Sequence, residues 1–79
     1  MIPGLNTNID RDNRRWHIQT ELTPGDPPVF ITQVFFEGAV TETTRVFGPQ
    51  GATLSDLLRA QRQAHGAVVE AVRSAEKSG

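Results

Sequence analysis

The sequence predicts an α+β protein, in which an antiparallel β-meander of three or four strands is followed by one long C-terminal helix. Two stretches carry this prediction. Residues 29–47 are rich in Val, Ile, Phe and Thr around a central glycine, and residues 54–76 contain no proline and place apolar residues near helical spacing. The first pattern is typical of paired strands and the second of an amphipathic helix. A chain of 79 residues has room for a single domain, residues 1–79.

The central hairpin is predicted at residues 29–36 and 39–47, with Glu37-Gly38 as its loop. Glycine supplies the positive φ that a two-residue hairpin loop needs. Simple pairing from this loop places Gln33 opposite Glu42 and Ile31 opposite Thr44. Side chains alternate between the two faces, so one face carries Val29, Ile31, Phe35, Val40 and Val46, and the other carries Phe30, Val34, Phe36, Ala39 and Phe47. Both faces are therefore apolar along the first strand of the hairpin, unlike a sheet with one solvated face.

One further strand is predicted before this hairpin, at residues 14–22, and residues 5–10 could form a second. Residues 5–10 alternate weakly, and their uncharged Asn6, Thr7 and Asn8 could contact a ligand or bond to nearby backbone, of which we favour the backbone. Residues 14–22 alternate cleanly, and the side chains expected to face the core are those of Trp16, Ile18, Thr20 and Leu22. The prolines within residues 23–28 end this strand, because proline lacks a backbone donor.

The C-terminal helix is predicted over residues 54–76. Thr53 is a favourable N-cap, and Asp56 three residues later resembles a capping box. One apolar stripe is formed by Leu54, Leu57, Leu58, Ala64, His65, Val68, Ala71, Val72 and Ala75. At a rise of about 1.5 Å per residue the helix is about 35 Å long. We expect its C-terminal half to overhang the sheet, to fray or to pack on a partner.

Composition and charge exclude several classes of function. The formal net charge is −1, so no long-range field attracts nucleic acid or an anionic membrane. There is no cysteine, which excludes disulfides and thiolate metal sites. No apolar run reaches the roughly 20 residues of a membrane span, and the N-terminus lacks the pattern of a signal peptide. These observations predict a cytoplasmic protein that uses no cofactor or metal.

Four segments of the chain, at residues 2–9, 17–21, 31–35 and 63–65, read IPGLNTNI, HIQTE, ITQVF and QAH. Together they resemble a group of small bacterial proteins that carry IPGLNTNV, HVQTED and VITHLF segments and a helix with glutamine and histidine two residues apart. The chain departs from the pattern at Glu37-Gly38, where the group has paired glycines, and it lacks the aspartate after Glu21. No activity is established for the group. The resemblance implies a bacterial, cytosolic, stand-alone domain and no particular chemistry.

The candidate polar sites are few. His17 and Glu21 share one face of the second predicted strand, and a histidine–carboxylate pair can act in acid–base chemistry. The competing interpretation, which we favour, is the solvated face of an amphipathic strand. His65 lies on the apolar helix stripe and is expected to be a partly buried histidine with a satisfied nitrogen. Two histidines on different elements do not predict a metal site.

A basic and aromatic cluster is formed by Arg11, Arg14 and Arg15 around Trp16. Such a cluster can hold phosphates and stack on a base. Against this interpretation, two aspartates interleave with the arginines, and Trp16 is expected to face the core. Nucleic-acid binding is therefore the weaker alternative.

The leading prediction is a non-enzymatic interaction module that self-associates, most simply as a homodimer. One helix can cover only one face of the sheet, and an exposed apolar second face favours association. The surface would be the uncovered sheet face or the distal helix, with Val29, Ile31, Phe35, Val40, Val46, Val69 and Val72 as its residues. The alternatives are a small-ligand or enzymatic domain that uses His17 and Glu21, and a weak nucleic-acid binder that uses the three arginines.

Overall fold

A computed structural model of this chain describes residues 2–78, and side chains up to residue 75. Its elements are β1 (Leu5–Arg11), β2 (Arg14–Thr23), β3 (Val29–Phe36), β4 (Ala39–Phe47) and α1 (Leu54–Ser78). The four strands form one antiparallel sheet in the order β1-β2-β3-β4. The predicted meander followed by a C-terminal helix is confirmed, and the predicted ends of these elements differ from the observed ones by at most two residues.

Tight turns close the first and last hairpins at the same end of the sheet. Asp12 and Asn13 join β1 to β2 with φ of 53° and 64°, and Glu37 and Gly38 join β3 to β4 with φ of 51° and 85°. Two successive positive φ values are typical of the type I′ turn, whose twist matches that of the flanking strands. The backbone N–H of Glu37 donates to the carbonyl oxygen of Arg15 at 3.2 Å, which joins the β3–β4 turn to β2.

The pairing of β3 with β4 follows the prediction only next to the turn. Phe35 pairs with Val40 as predicted, but the register shifts at the next position. Gln33 therefore pairs with Thr43, one residue beyond the predicted Glu42. The prediction was wrong here because it assumed a ladder without an extra residue.

The extra residue is Thr41, whose hydroxyl donates to the carbonyl oxygen of Val34 at 3.2 Å. Because side chains alternate between faces, one inserted residue moves all later side chains of the strand to the other face. Val46 consequently pairs with Phe30 on the helix side of the sheet, and Phe47 lies on the opposite face. The predicted faces of Val46 and Phe47 were wrong for this reason.

α1 lies across one face of the sheet, mainly over β2. The core contains the buried side chains of Ile9, Ile18, Phe30, Val34, Ala64 and Val69. Trp16, Val68 and Val72 pack against it from the sides. The helix therefore packs on its own sheet as far as Val72. The prediction that its C-terminal half overhangs the sheet, frays or packs on a partner was wrong for this part of the helix.

The predicted capping box is present at the start of α1. The backbone N–H of Thr53 donates to Oδ2 of Asp56, and the N–H of Asp56 donates to Oγ1 of Thr53, both at 3.1 Å. Hydrogen bonding from the backbone and the side chain of Thr53 lowers the pKa of the Asp56 carboxyl, with a smaller contribution from the charge of Arg59. Leu54 is 63% exposed, so its predicted place on the buried stripe was wrong, because the buried face of α1 begins after the first turn.

Candidate functional site

The face of the sheet opposite α1 is the main unoccupied surface of the molecule, and we call it the open face. Within residues 2–78, no helix or strand packs on it. Its apolar side chains come mainly from β3, where Val29, Ile31 and Phe35 are half-buried by their neighbours. On β4, Val40 is 51% and Phe47 is 68% exposed. The open face thus presents an apolar band to solvent.

The side chains of β2, β3 and β4 on the open face form four rows across the strands. From the turn end, these rows are His17–Phe35–Val40, Gln19–Gln33–Thr43, Glu21–Ile31–Arg45 and Thr23–Val29–Phe47. The second row is polar. In the third row a carboxylate and a guanidinium lie on either side of an isoleucine.

His17 is held in place on the open face by two neighbours. Its Nδ1 lies 2.7 Å from Oδ1 of Asn8, and its ring lies against Phe35 with the centroids 5.8 Å apart. Because an amide oxygen only accepts, this contact is a hydrogen bond when Nδ1 carries a proton. Asn8 was predicted to bond to backbone, but it directly faces His17 across the β1–β2 pair, which gives its side chain a nearer partner.

A shallow depression of about 560 Å³ opens beside His17. Its lining residues are Asn8, Arg15, His17, Gln19, Phe35, Glu37 and Gly38. Glu21 is not among them. The four-residue separation of His17 and Glu21 along β2 corresponds to about 13 Å, and Oε1 of Glu21 instead accepts from Gln19 Nε2 at 3.1 Å. The two side chains proposed as an acid–base pair share a face and do not converge.

His65 lies on the other side of the sheet, buried between α1 and the strands. Its Nε2 is 2.7 Å from Oγ1 of Thr7 and its Nδ1 is 2.8 Å from Oγ1 of Thr20, which in turn lies 2.8 Å from Oγ1 of Thr32. Burial lowers the pKa of His65, and the nearby His17 lowers it further. The prediction of a partly buried, satisfied histidine is confirmed. The expected backbone bond of Thr7 was wrong, because its hydroxyl faces α1.

This hydroxyl–imidazole cluster fastens the helix to the sheet. A hydroxyl beside an imidazole can be a nucleophile beside its base, but activation also needs a group that orients the base and access for a substrate. Thr20 is fully buried, so a substrate has no access to its hydroxyl. The group that orients Nδ1 of His65 is this same neutral hydroxyl, so the arrangement does not meet either requirement. A second fastening lies one turn earlier, where Gln61 Nε2 donates to the carbonyl oxygen of Pro3 at 3.2 Å.

The arginines of the predicted basic cluster lie on different surfaces. Arg11 and Arg14 pair with each other at the end of the β1–β2 hairpin, on the helix side of the sheet. Arg15 lies on the other side, where its Nε donates to Oδ1 of Asp10 at 2.8 Å. This bond and the charge of Asp10 raise the pKa of Arg15. Trp16 packs against the core and is not a free stacking surface between them.

The residues predicted for self-association are divided in the same way. Four of them share the open face: Val29, Ile31, Phe35 and Val40. Val46 lies on the helix side of β4, Val69 is in the core and Val72 packs against it. Sequence reasoning missed the place of Phe47 on the open face. This place depends on the bulge in β4, for which the sequence carries no local signal.

Comparisons of this chain with protein-family models, with curated proteins and with solved structures find no match. The resemblance to the small bacterial proteins therefore stays a prediction. Within residues 2–78, no helix is both long and apolar enough to cross a membrane. Among the same residues, no three His, Asp or Glu side chains are grouped so that they could hold a metal ion. The geometry defines an α+β meander with one covered face and one open face.

Proposed function

We propose that this chain is a non-enzymatic interaction module that associates with a second copy of itself through the open face. The observation that carries the proposal is the apolar band on that face, in which Val40 and Phe47 are more than half exposed and Val29, Ile31 and Phe35 are half-buried. Removing apolar surface from water stabilises by roughly 25 cal/mol per Å². The cytoplasmic location and bacterial origin predicted above belong to this proposal.

The size of the open face bears on the strength of the association. Its four rows across β2, β3 and β4 hold twelve side chains, whereas a standard interface uses roughly 20–30 residues on each side. An open face with so few side chains supports a weak, reversible complex. We therefore expect a dimer that dissociates on dilution.

The separation of His17 from Glu21 and the burial of His65 favour this interaction module over an enzymatic role. General acid–base chemistry needs groups within hydrogen-bond reach of the same substrate atoms. The two histidines lie on opposite faces of the sheet, and His65 already uses both ring nitrogens.

Light scattering after size exclusion, over about a tenfold range of protein concentration, tests the proposal. We expect the mass to rise toward twice that of the monomer as the concentration increases. Phe47→Glu places a charge in the apolar band and should keep the chain monomeric. Leu54→Glu is the matched control, because Leu54 is similarly exposed but lies at the start of α1, away from the open face.

Two results would contradict the proposal. One is a wild-type chain that stays monomeric at the highest concentration. The other is a dimer that Phe47→Glu and Leu54→Glu leave equally intact, since association would then use a surface other than the open face.

A further inference from the structure

We infer that the second copy lies face to face with the first about a two-fold axis parallel to β3, so that Glu21 of each copy meets Arg45 of the other. This inference rests on the proposed self-association through the open face and specifies its geometry. It is carried by the third row of side chains, Glu21–Ile31–Arg45, together with the apolar residues of β3.

The two charges in this row are arranged symmetrically about β3. Neighbouring strands lie about 4.8 Å apart, so Glu21 on β2 and Arg45 on β4 are each one strand spacing from Ile31. Their Cα atoms are therefore roughly 10 Å apart within one chain, and no ion pair joins the two side chains. A shallow depression of about 490 Å³ lies between them on the open face, with Ile31 and Gln33 in its lining.

Among the residues that the structure describes, neither charge takes part in an ion pair. Glu21 accepts one bond, from the amide of Gln19 at 3.1 Å. Arg45 forms no hydrogen bond or ion pair with any residue that the structure describes. Both side chains are exposed on the open face and are free to contact an incoming surface.

A two-fold axis parallel to β3 superposes the two sheets with β3 over β3 and exchanges β2 with β4. Each Glu21 then lies over Arg45 of the second copy, which forms two ion pairs by symmetry. Ile31 and Phe35 meet their own counterparts, and the two Gln33 amides can exchange hydrogen bonds, because each amide both donates and accepts. Sheets that pack face to face keep their strands within about 30° of each other, which this axis permits.

The alternative axis, perpendicular to the strands through Gln33, is less complementary. It would place Arg45 against Val40 of the second copy and Glu21 against His17. The guanidinium would then lose water without gaining a carboxylate, and burying a charge without a partner is costly. Complementary charges chiefly decide which of several docking geometries is used, and they favour the axis parallel to β3.

Charge reversal in the full chain tests this geometry by light scattering and by sedimentation. Glu21→Arg and Arg45→Glu should each raise the dissociation constant of the dimer by about tenfold or more, because each brings like charges together. An equimolar mixture of the two variants should form a mixed dimer, because every contact between them again joins opposite charges. The double variant should associate about as tightly as the wild type.

Arg62→Glu and Glu70→Arg are the matched controls, since both residues are exposed on α1 and the same charge changes there should leave the dissociation constant unchanged. If the wild type is a monomer at every concentration, the proposed self-association itself is wrong. If the wild type dimerises but the two reversed variants keep its dissociation constant, or stay weakened when mixed, the inferred axis is wrong. The proposed self-association would still stand in that case.

Discussion

At the scale of single residues, the buried His65 shows how this small core tolerates polar groups. Both ring nitrogens hydrogen-bond to threonine hydroxyls, and the hydroxyl of Thr20 also hydrogen-bonds to that of Thr32, which forms a chain of hydrogen bonds. Each hydroxyl can donate or accept, so the chain satisfies a neutral imidazole in either tautomer. Among the described residues, both partners of the imidazole are neutral hydroxyls and neither is a carboxylate. This explains why burial is the largest cause of the lowered pKa of His65.

The lowered pKa predicts that the protein loses stability on acidification. The unfolded chain binds the proton at an ordinary histidine pKa of about 6.5, whereas the folded chain binds it only at lower pH. The stability linked to His65 is therefore complete above about pH 6.5 and decreases as the pH falls below it. Urea unfolding measured from about pH 8 to about pH 5.5 should show this decrease.

His65→Gln and His17→Gln separate the two histidines in this experiment. His65→Gln removes the titrating group and should flatten the dependence on pH, while His17→Gln should retain the loss at acidic pH. If the wild type and His65→Gln lose stability in parallel, the lowered pKa of His65 is not the cause.

At the scale of elements, two glycines have opposite effects. An added Cβ at either Gly38 or Gly66 would meet no atom within 4 Å apart from the adjacent residues and, at Gly66, the backbone of its own helix, so packing does not distinguish them. Gly38 lies in the β3–β4 turn with φ of 85°, where an L-residue is strained by about 1–2 kcal/mol. Gly66 lies inside α1 and is exposed, where glycine is less favourable than alanine by about 1 kcal/mol.

We therefore expect Gly66→Ala to raise the free energy of unfolding by about 0.5–1 kcal/mol and Gly38→Ala to lower it by about 1 kcal/mol or more. Chemical denaturation of both variants at one protein concentration measures the difference. Equal effects of the same sign would show that the backbone conformations do not control these positions.

The elements were also where sequence reasoning was most successful and where its limit was clearest. Alternation identified β2, and Thr53 with Asp56 identified the start of α1, because both signals depend on residues that are near in sequence. The bulge at Thr41 has no such local signal. Its hydroxyl bonds to the carbonyl of Val34 on the neighbouring strand, and the choice between two registers depends on what each face packs against.

At the scale of the whole molecule, the helix makes the two faces of the sheet unequal. Ile18 and Ile31 lie on adjacent strands, but Ile18 is fully buried under α1 and Ile31 lies on the open face. Ile18→Ala should lower the free energy of unfolding by about 2–5 kcal/mol, the usual cost of a cavity in a core. Ile31→Ala should cost about 1 kcal/mol or less in the monomer.

Denaturant unfolding at the lowest workable protein concentration compares these two identical substitutions without the contribution of a dimer. The difference between the two losses of unfolding free energy should become smaller as the protein concentration rises, because Ile31 then becomes part of an interface. Similar costs in the dilute monomer would mean that something covers the open face within the chain itself.

The sequence by itself determined the positions and approximate ends of β2, β3, β4 and α1, left open whether residues 5–10 form a fourth strand, and indicated that one helix would leave an apolar sheet face uncovered. These properties follow from periodicity, turn residues and the width of one helix, which are all local or additive. Only the tertiary structure decided that Phe47 belongs to the open face and Val46 does not, that Thr7 bonds to His65, and that Glu21 and Arg45 flank Ile31 in one row. Each of these depends on register between strands, where a single bulged residue changes the face of every side chain beyond it.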